Sequence, residues 1–364
     1  MVKMRNMQAI ISPPENSSGS AVMSLPRKLP LLDGLRGLAA LIVLVSHGAN
    51  AGFLPEMLGA GLGRTGVGVF YALSGFLMAH VCLDKPLNRA TLRTYGVARG
   101  SRVLPLYYAV ILVDLALWAL VGRDYYSIES ARDVALNLLL LRGDRVLWSV
   151  PVEVQFYVLF VGLWWLHDRG WLRTALLLLA PLCAAMALIA ALGLLPIRDT
   201  ILPVWLHFFL IGIAMRQVIA RHYAALVEFL RSRAGVMLGL AALAGLLLLP
   251  PALRALLGHP ALPAYADPLV LVLVPVLLAL CVAGHRLFAW LAHPVMRWFG
   301  QVSFSLYLLH WPVVQLAEEH DLGALVTPLG AFAVVSAVSI AAAALSYRLI
   351  ERPAQERLRR LASG

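Results

Sequence analysis

The sequence predicts an all-α, polytopic membrane protein with about ten transmembrane helices, on two observations. Hydrophobic residues make up 61% of the chain and charged ones 13%, against about 45–50% and about 25% in an ordinary soluble domain. The apolar residues also fall in runs of roughly 17–24, the length a helix needs to cross about 30 Å of hydrocarbon. The alternating segments of about ten residues that build a membrane β-barrel are absent from the pattern.

The runs define candidate spans at 35–54, 66–83, 103–121, 148–166, 171–194, 200–219, 235–251, 267–284, 303–317 and 325–347. The first, LLDGLRGLAALIVLVSHGAN from residue 31, carries Arg36 and His47. The second, GVGVFYALSGFLMAH, spaces Gly66, Gly68, Ser74 and Gly75 through aromatic residues, and small residues let membrane helices approach closely. The third follows RTYGVARGSRVLPLYY, with Pro105 just inside it. The fourth opens WSVPVEVQFY and holds Glu153; the ninth, FSLYLLHWPV, holds Tyr307 and His310. The rest are read on length and apolarity. Two basic and aromatic stretches, 216–234 and 286–299, read as interfacial helices. Between spans the longest gap is Gly122 to Leu147, too short for a soluble domain. Residues 1–30 are expected to be a disordered tail, 31–355 the membrane domain and 356–364 a short tail.

The net charge is +11. Along a membrane chain such charge is a topology signal rather than a nucleic-acid footprint. With the N-terminus inside, all but seven of the 30 Lys and Arg residues fall on the inner side, so both termini are expected in the cytoplasm. Three cysteines, Cys82, Cys183 and Cys281, lie in or beside apolar spans and offer neither a disulfide framework nor metal spacing.

Ionisable groups at membrane depth cost about 2.5–3.5 kcal/mol each on the insertion scale and call for a partner or a purpose. Eleven helical steps bring Arg36 and His47 to within ~20° of one face, about 16 Å apart along the axis. That geometry suits a long ligand with an anionic head near Arg36 and a reacting end near His47, the shape of a coenzyme A thioester. Planar guanidinium groups bind phosphates well. Alternatively, His47 is a hydrogen-bonded core imidazole and Arg36 snorkels to the headgroups. Arg99 and Arg102, three apart, share a helix face; they either anchor the loop or form a second phosphate clamp. Glu153 calls for a cation or a proton, and two histidines with a glutamate could equally form a transporter's proton relay.

With those residues in place, the chain resembles the membrane-bound acyltransferase family 3, the bacterial O-acyltransferases. The markers are LDGLRGLAAL at 32–41 with His47, GVGVFYALSGF at 66–76, RGSRVLPLYY at 99–108, WSVPVEVQFY at 148–157, FSLYLLHWPV at 304–313 and IERPA at 350–354. The resemblance implies a ten-helix domain that moves an acyl group, usually acetyl, from cytoplasmic acyl-CoA to a hydroxyl. The acceptor would be a cell-surface glycan such as exopolysaccharide or lipopolysaccharide, or else a small molecule or lipid. The family's Arg and His match Arg36 and His47, its Arg pair matches Arg99 and Arg102, and its fourth-span glutamate matches Glu153. Gly68 departs from the pattern, since many relatives carry an acidic residue there.

The expected site is therefore His47 as general base or transient acyl carrier, oriented by Glu153, with Arg36, Arg99 and Arg102 on the donor's phosphates. Tyr307, His310 and Trp148 would line the acceptor side. No metal is expected. The expected surroundings are the lipid bilayer of a bacterial inner membrane, a glycan or lipid-linked sugar as acceptor and a second copy of the chain in a homo-oligomer, with no nucleic acid.

Overall fold

The computed structural model describes residues 25–363 apart from 195, 197, 257 and 259–261. The tail expected over 1–30 lies, up to residue 24, outside the described residues. The described residues form helices and connections with no strand. In chain order come α1 (Pro30–Asn50), α2 (Leu62–Cys82), α3 (Arg89–Val121), α4 (Ala131–Leu138) and α5 (Ser149–Asp168). They are followed by α6 (Leu172–Ala191), α7 (Leu202–Arg231), α8 (Arg233–Leu247), α9 (Pro251–Leu256) and α10 (Pro268–Val282). The chain closes with α11 (Pro294–Glu319), α12 (Leu322–Val326), α13 (Pro328–Ser346) and α14 (Arg352–Ser363).

A helix thus occupies each of the ten stretches read as spans. Seven helices among the described residues are long and apolar enough to cross a membrane. The count is eight if α10 and the 3₁₀ segment Arg286–Ala292, which meet at 79°, form one broken span. The remaining two differ for visible reasons: α8 has 15 residues, and α11 carries Arg297, Gln301, His310 and Gln315. Neither basic stretch forms a single helix of its own: residues 216–231 continue α7 past a kink at His222, while 286–292 form the 3₁₀ segment and 294–299 the first turns of α11. The expected C-terminal tail is helical as far as Ser363, where the Arg93 guanidinium donates to the Leu361 carbonyl at 2.9 Å.

Helix boundaries follow local chemistry. Pro30 opens α1 at a position where its fixed φ is pre-set and its missing N–H costs nothing. Asn88 and Thr91 form a capping box that starts α3 far ahead of the apolar run, and Gly122 at φ 68° ends it. The early start makes α3 a helix of 33 residues and draws Arg99 and Arg102, expected in a loop, into a rod that reaches the bundle interior.

Small residues set the packing. A Cβ on Gly300 of α11 would lie 1.9 Å from the Asp33 carbonyl oxygen of α1, and one on Gly37 would lie 2.5 Å from that of Met296. Gly75 of α2 meets the Phe209 carbonyl in the same way, and Gly212 of α7 that of Ala72, both at 2.1 Å. Without a hydrophobic force between helices in lipid, such close backbone approach supplies the attraction. It seats α1 between α2 and α11, the helices that complete the site around Arg36 and His47.

Candidate active site

Arg36, the seventh residue of α1, does not snorkel. It lines a cavity of about 40 Å³ with Phe70 and Tyr71 of α2, Arg102 of α3, Glu153 of α5 and Tyr307 of α11. Arg36 and Glu153, assigned from the sequence to different depths, therefore face one space. Glu153 accepts hydrogen bonds from the hydroxyls of Tyr157 at 2.7 Å and Ser74 at 3.1 Å. Among the described residues neither Arg36 nor Arg102 enters an ion pair. Two guanidinium groups against one carboxylate leave the cavity with excess positive charge, which is the condition for taking an anion.

Arg99 and Arg102 do not line one space. Arg102 reaches the cavity, whereas Arg99 lies with its guanidinium 6.0 Å from the Tyr157 ring centre and its buried Nε without a partner. The cavity's size does not fit a pantetheine arm: about 40 Å³ is room for only a few water molecules, at ~10–15 Å³ each by this measure.

His47 stands nearer the other end of α1 and lines a larger vestibule of about 510 Å³ with Asn50, Arg64, Thr65, Arg254 and Asp267. Arg64 pairs with Asp199, and Arg254 with Asp267. The structure corrects the partner expected for His47. It is not Glu153 but His310, whose Nε2 lies 2.6 Å from His47 Nδ1. The two ring planes are within 10° of parallel with centroids 4.9 Å apart, so the imidazoles meet edge to edge through these nitrogens, and Trp311 closes on His47 edge-on at 5.1 Å.

The pair has an assignable proton pattern. His310 Nδ1 lies 2.9 Å from the Leu306 carbonyl oxygen. A carbonyl only accepts, so in a neutral pair His310 Nδ1 carries the hydrogen and its Nε2 is bare. His47 Nδ1 must then donate, which leaves His47 Nε2 with a free lone pair. A loop from the far side of the sequence fixes that turn of α11. The Tyr126 hydroxyl donates to the Leu308 carbonyl at 2.8 Å, and Trp311 Nε1 donates to the Tyr125 carbonyl at 2.8 Å. Burial pushes the Tyr126 phenol well above its ordinary value, so it stays a donor.

Tyr307 lies in the Arg36 cavity rather than in the vestibule, whereas His310, one helical turn on, lines neither and meets the vestibule only through His47. Trp148 is in neither wall; it is buried between Tyr71 and Trp205, with ring centres 6.3 Å and 5.2 Å away. At Gly68, where the resemblance would put an acidic side chain, a Cβ would lie 3.0 Å from the Phe208 ring, so that ring would have to shift by a few tenths of an ångström to admit one. No group of three or more His, Cys, Asp or Glu side chains among the described residues could hold a metal. The sequence reading missed Tyr157, Trp311, Asn50 and Arg64 as parts of the site. Trp311 and Tyr157 lay inside quoted motifs next to marked residues, whereas Asn50 and Arg64 carried no signal.

Comparison with known proteins supplies the context for this arrangement. A family model described as an acyltransferase domain matches residues 29–348. The chain is 28% identical over 191 residues to "Putative peptidoglycan O-acetyltransferase YrhL" of Bacillus subtilis, covering 44% of this chain and 28% of that protein. It is 27% identical over 158 residues to the O-acetyltransferase OatA of Staphylococcus aureus, covering 38% and 25%. Over 168 residues it is 24% identical to the peptidoglycan O-acetyltransferase OatA of Listeria monocytogenes, covering 36% and 23%. The matches span about a quarter of each relative's length. No solved structure matches the chain.

Proposed function

The chain belongs to the acyltransferase domain family, and from that premise we propose that it is an integral membrane O-acetyltransferase of a bacterial cytoplasmic membrane. It would move an acetyl group from acetyl-CoA to a hydroxyl of a cell-envelope glycan, and the relatives' names make peptidoglycan sugars the first acceptor to test. The observation that carries the reading is that one helix bears both ends of the chemistry. Arg36 faces a cationic cavity and His47, with a free Nε2 lone pair, faces a vestibule large enough for a sugar.

Acetyl-CoA would supply the acetyl group as a thioester. Arg36 and Arg102, which line the smaller cavity, are the residues to hold its phosphates, with Arg99 adding charge from behind Tyr157, and that cavity must widen to admit the arm. His47 Nε2 takes the proton of the acceptor hydroxyl as its oxygen bonds to the acetyl carbonyl carbon, and returns that proton to the departing sulfur. Such general-base assistance contributes about 10²–10⁴-fold. His310 holds His47 in the tautomer that leaves Nε2 free and stabilises the imidazolium. The carboxylate of a hydrolase triad plays the corresponding part.

Purified protein in liposomes with radiolabelled acetyl-CoA and muropeptide fragments tests the reading. Label is expected in an ester on the sugar, and His47→Gln should abolish it while the protein still inserts. Thioester loss with label retained on His47 after a denaturing quench would replace the base by a covalent carrier. Solute or proton movement that is independent of acetyl-CoA would overturn the enzyme in favour of a transporter.

A further inference from the structure

We infer that the groove between α6 and α7 is a binding site for an anionic glycerophospholipid. A cavity of about 480 Å³ at one end of this helix pair is lined by His167, Arg173, Gln217 and Arg221 together with Leu176, Leu177 and Ala214. A second, of about 540 Å³, continues from the same Leu176, Leu177 and Ala214 along apolar positions of both helices and ends against His207 and Tyr265. The two form one furrow. From Arg221 to His207 it runs about 21 Å along α7, at ~1.5 Å per residue, more than half of a hydrocarbon core of about 30 Å.

The polar end carries charge without a protein counter-charge. Arg173 and Arg221 are both exposed and, among the described residues, enter no ion pair. Asp168, next in sequence to His167, is turned away to accept from the Leu87 amide at 2.7 Å. Depth fits a headgroup as well: Trp165 and Trp171 at the same end are 48% and 66% exposed, and exposed tryptophans mark the membrane–water interface. The stem is apolar and the head is a pair of guanidinium groups at headgroup level. That is the complement of acyl chains ending in a phosphate, and basic pockets between membrane helices bind such headgroups. Zwitterionic lipids present the same phosphate with a cation attached, so the arginine pair favours the anionic class.

The site is separate from both cavities of the proposed reaction, and its test does not depend on acetyl transfer. The full chain is equilibrated in mixed micelles of phosphatidylglycerol and phosphatidylcholine at equal concentration, and retained lipid is counted by native mass spectrometry. The expected result is an enrichment of phosphatidylglycerol on the order of tenfold, lost in R173Q/R221Q and kept in R173K/R221K, which preserves charge and guards against misfolding. R357Q/R359Q, which removes two exposed charges from α14, should leave the preference intact. Equal retention of the two lipids by the unmodified chain, or an undiminished preference in R173Q/R221Q, would overturn the inference. So would cross-linking that captures a second copy of the chain along Leu177 and Leu178.

Discussion

At His47 the decisive contact is with a residue 263 positions away. If His310 only filled space, His310→Asn would change stability and leave turnover alone. If it fixes the tautomer, the variant should lose kcat by about 10–100-fold while KM for acetyl-CoA stays within about twofold, since truncating such an orienting partner costs catalysis rather than binding. Steady-state kinetics on reconstituted protein separate the two. Arg36→Ala should do the reverse, raising KM for acetyl-CoA with a smaller effect on kcat, and an unchanged KM would show that the cavity does not receive the donor. Glu153 is held by Ser74 and Tyr157, so Glu153→Gln is expected to act on the donor side too, through the charge balance of the Arg36 cavity.

Among the elements, the α1–α11 contact has the least tolerance. Gly300→Val would force its Cβ into the Asp33 carbonyl, and overpacking of that kind costs about 1–3 kcal/mol or more. The expected outcome is a lower midpoint in thermal unfolding monitored by tryptophan fluorescence, and an unchanged midpoint would mean that the two helices part easily. What could be read from the sequence belonged to single elements. Apolar run length located helices at the ten stretches, of which seven or eight are long and apolar enough to span a membrane, and helical phase put Arg36 and His47 on one face. What could not be read was set between elements. The capping box at Asn88 starts α3 well before its apolar run, so Arg99 and Arg102 looked like loop residues. The strap from Tyr125 and Tyr126 to α11 joins segments with no shared local pattern. Glu153 was given to His47 because both were ionisable groups at depth, whereas Ser74 and Tyr157 satisfy it at shorter range.

For the molecule as a whole, the contrast between the two cavities carries a demand for motion. A space of about 40 Å³ has to enlarge before a donor enters, whereas the vestibule of about 510 Å³ is already roomy. Hydrogen exchange should therefore rise in the part of α3 around Arg102 and Val103 when a non-hydrolysable acetyl-CoA analogue is added, and stay flat in α10. An exchange map that does not change on addition would place donor binding elsewhere. Bundle opening of this kind falls on the microsecond-to-millisecond scale of collective helix motions.

Because α1 runs unbroken from Pro30 to Asn50, the tolerance of the site to insertions is angular before it is linear. One alanine added between Ala40 and Leu41 would lengthen the helix by only ~1.5 Å yet swing everything beyond it by ~100°. His47 would turn away from His310 with every side chain still present. An insertion of four residues would bring the azimuth back to within ~40° while displacing the imidazole by about 6 Å. Chains that vary in length at this helix should therefore change by near-whole turns or not at all.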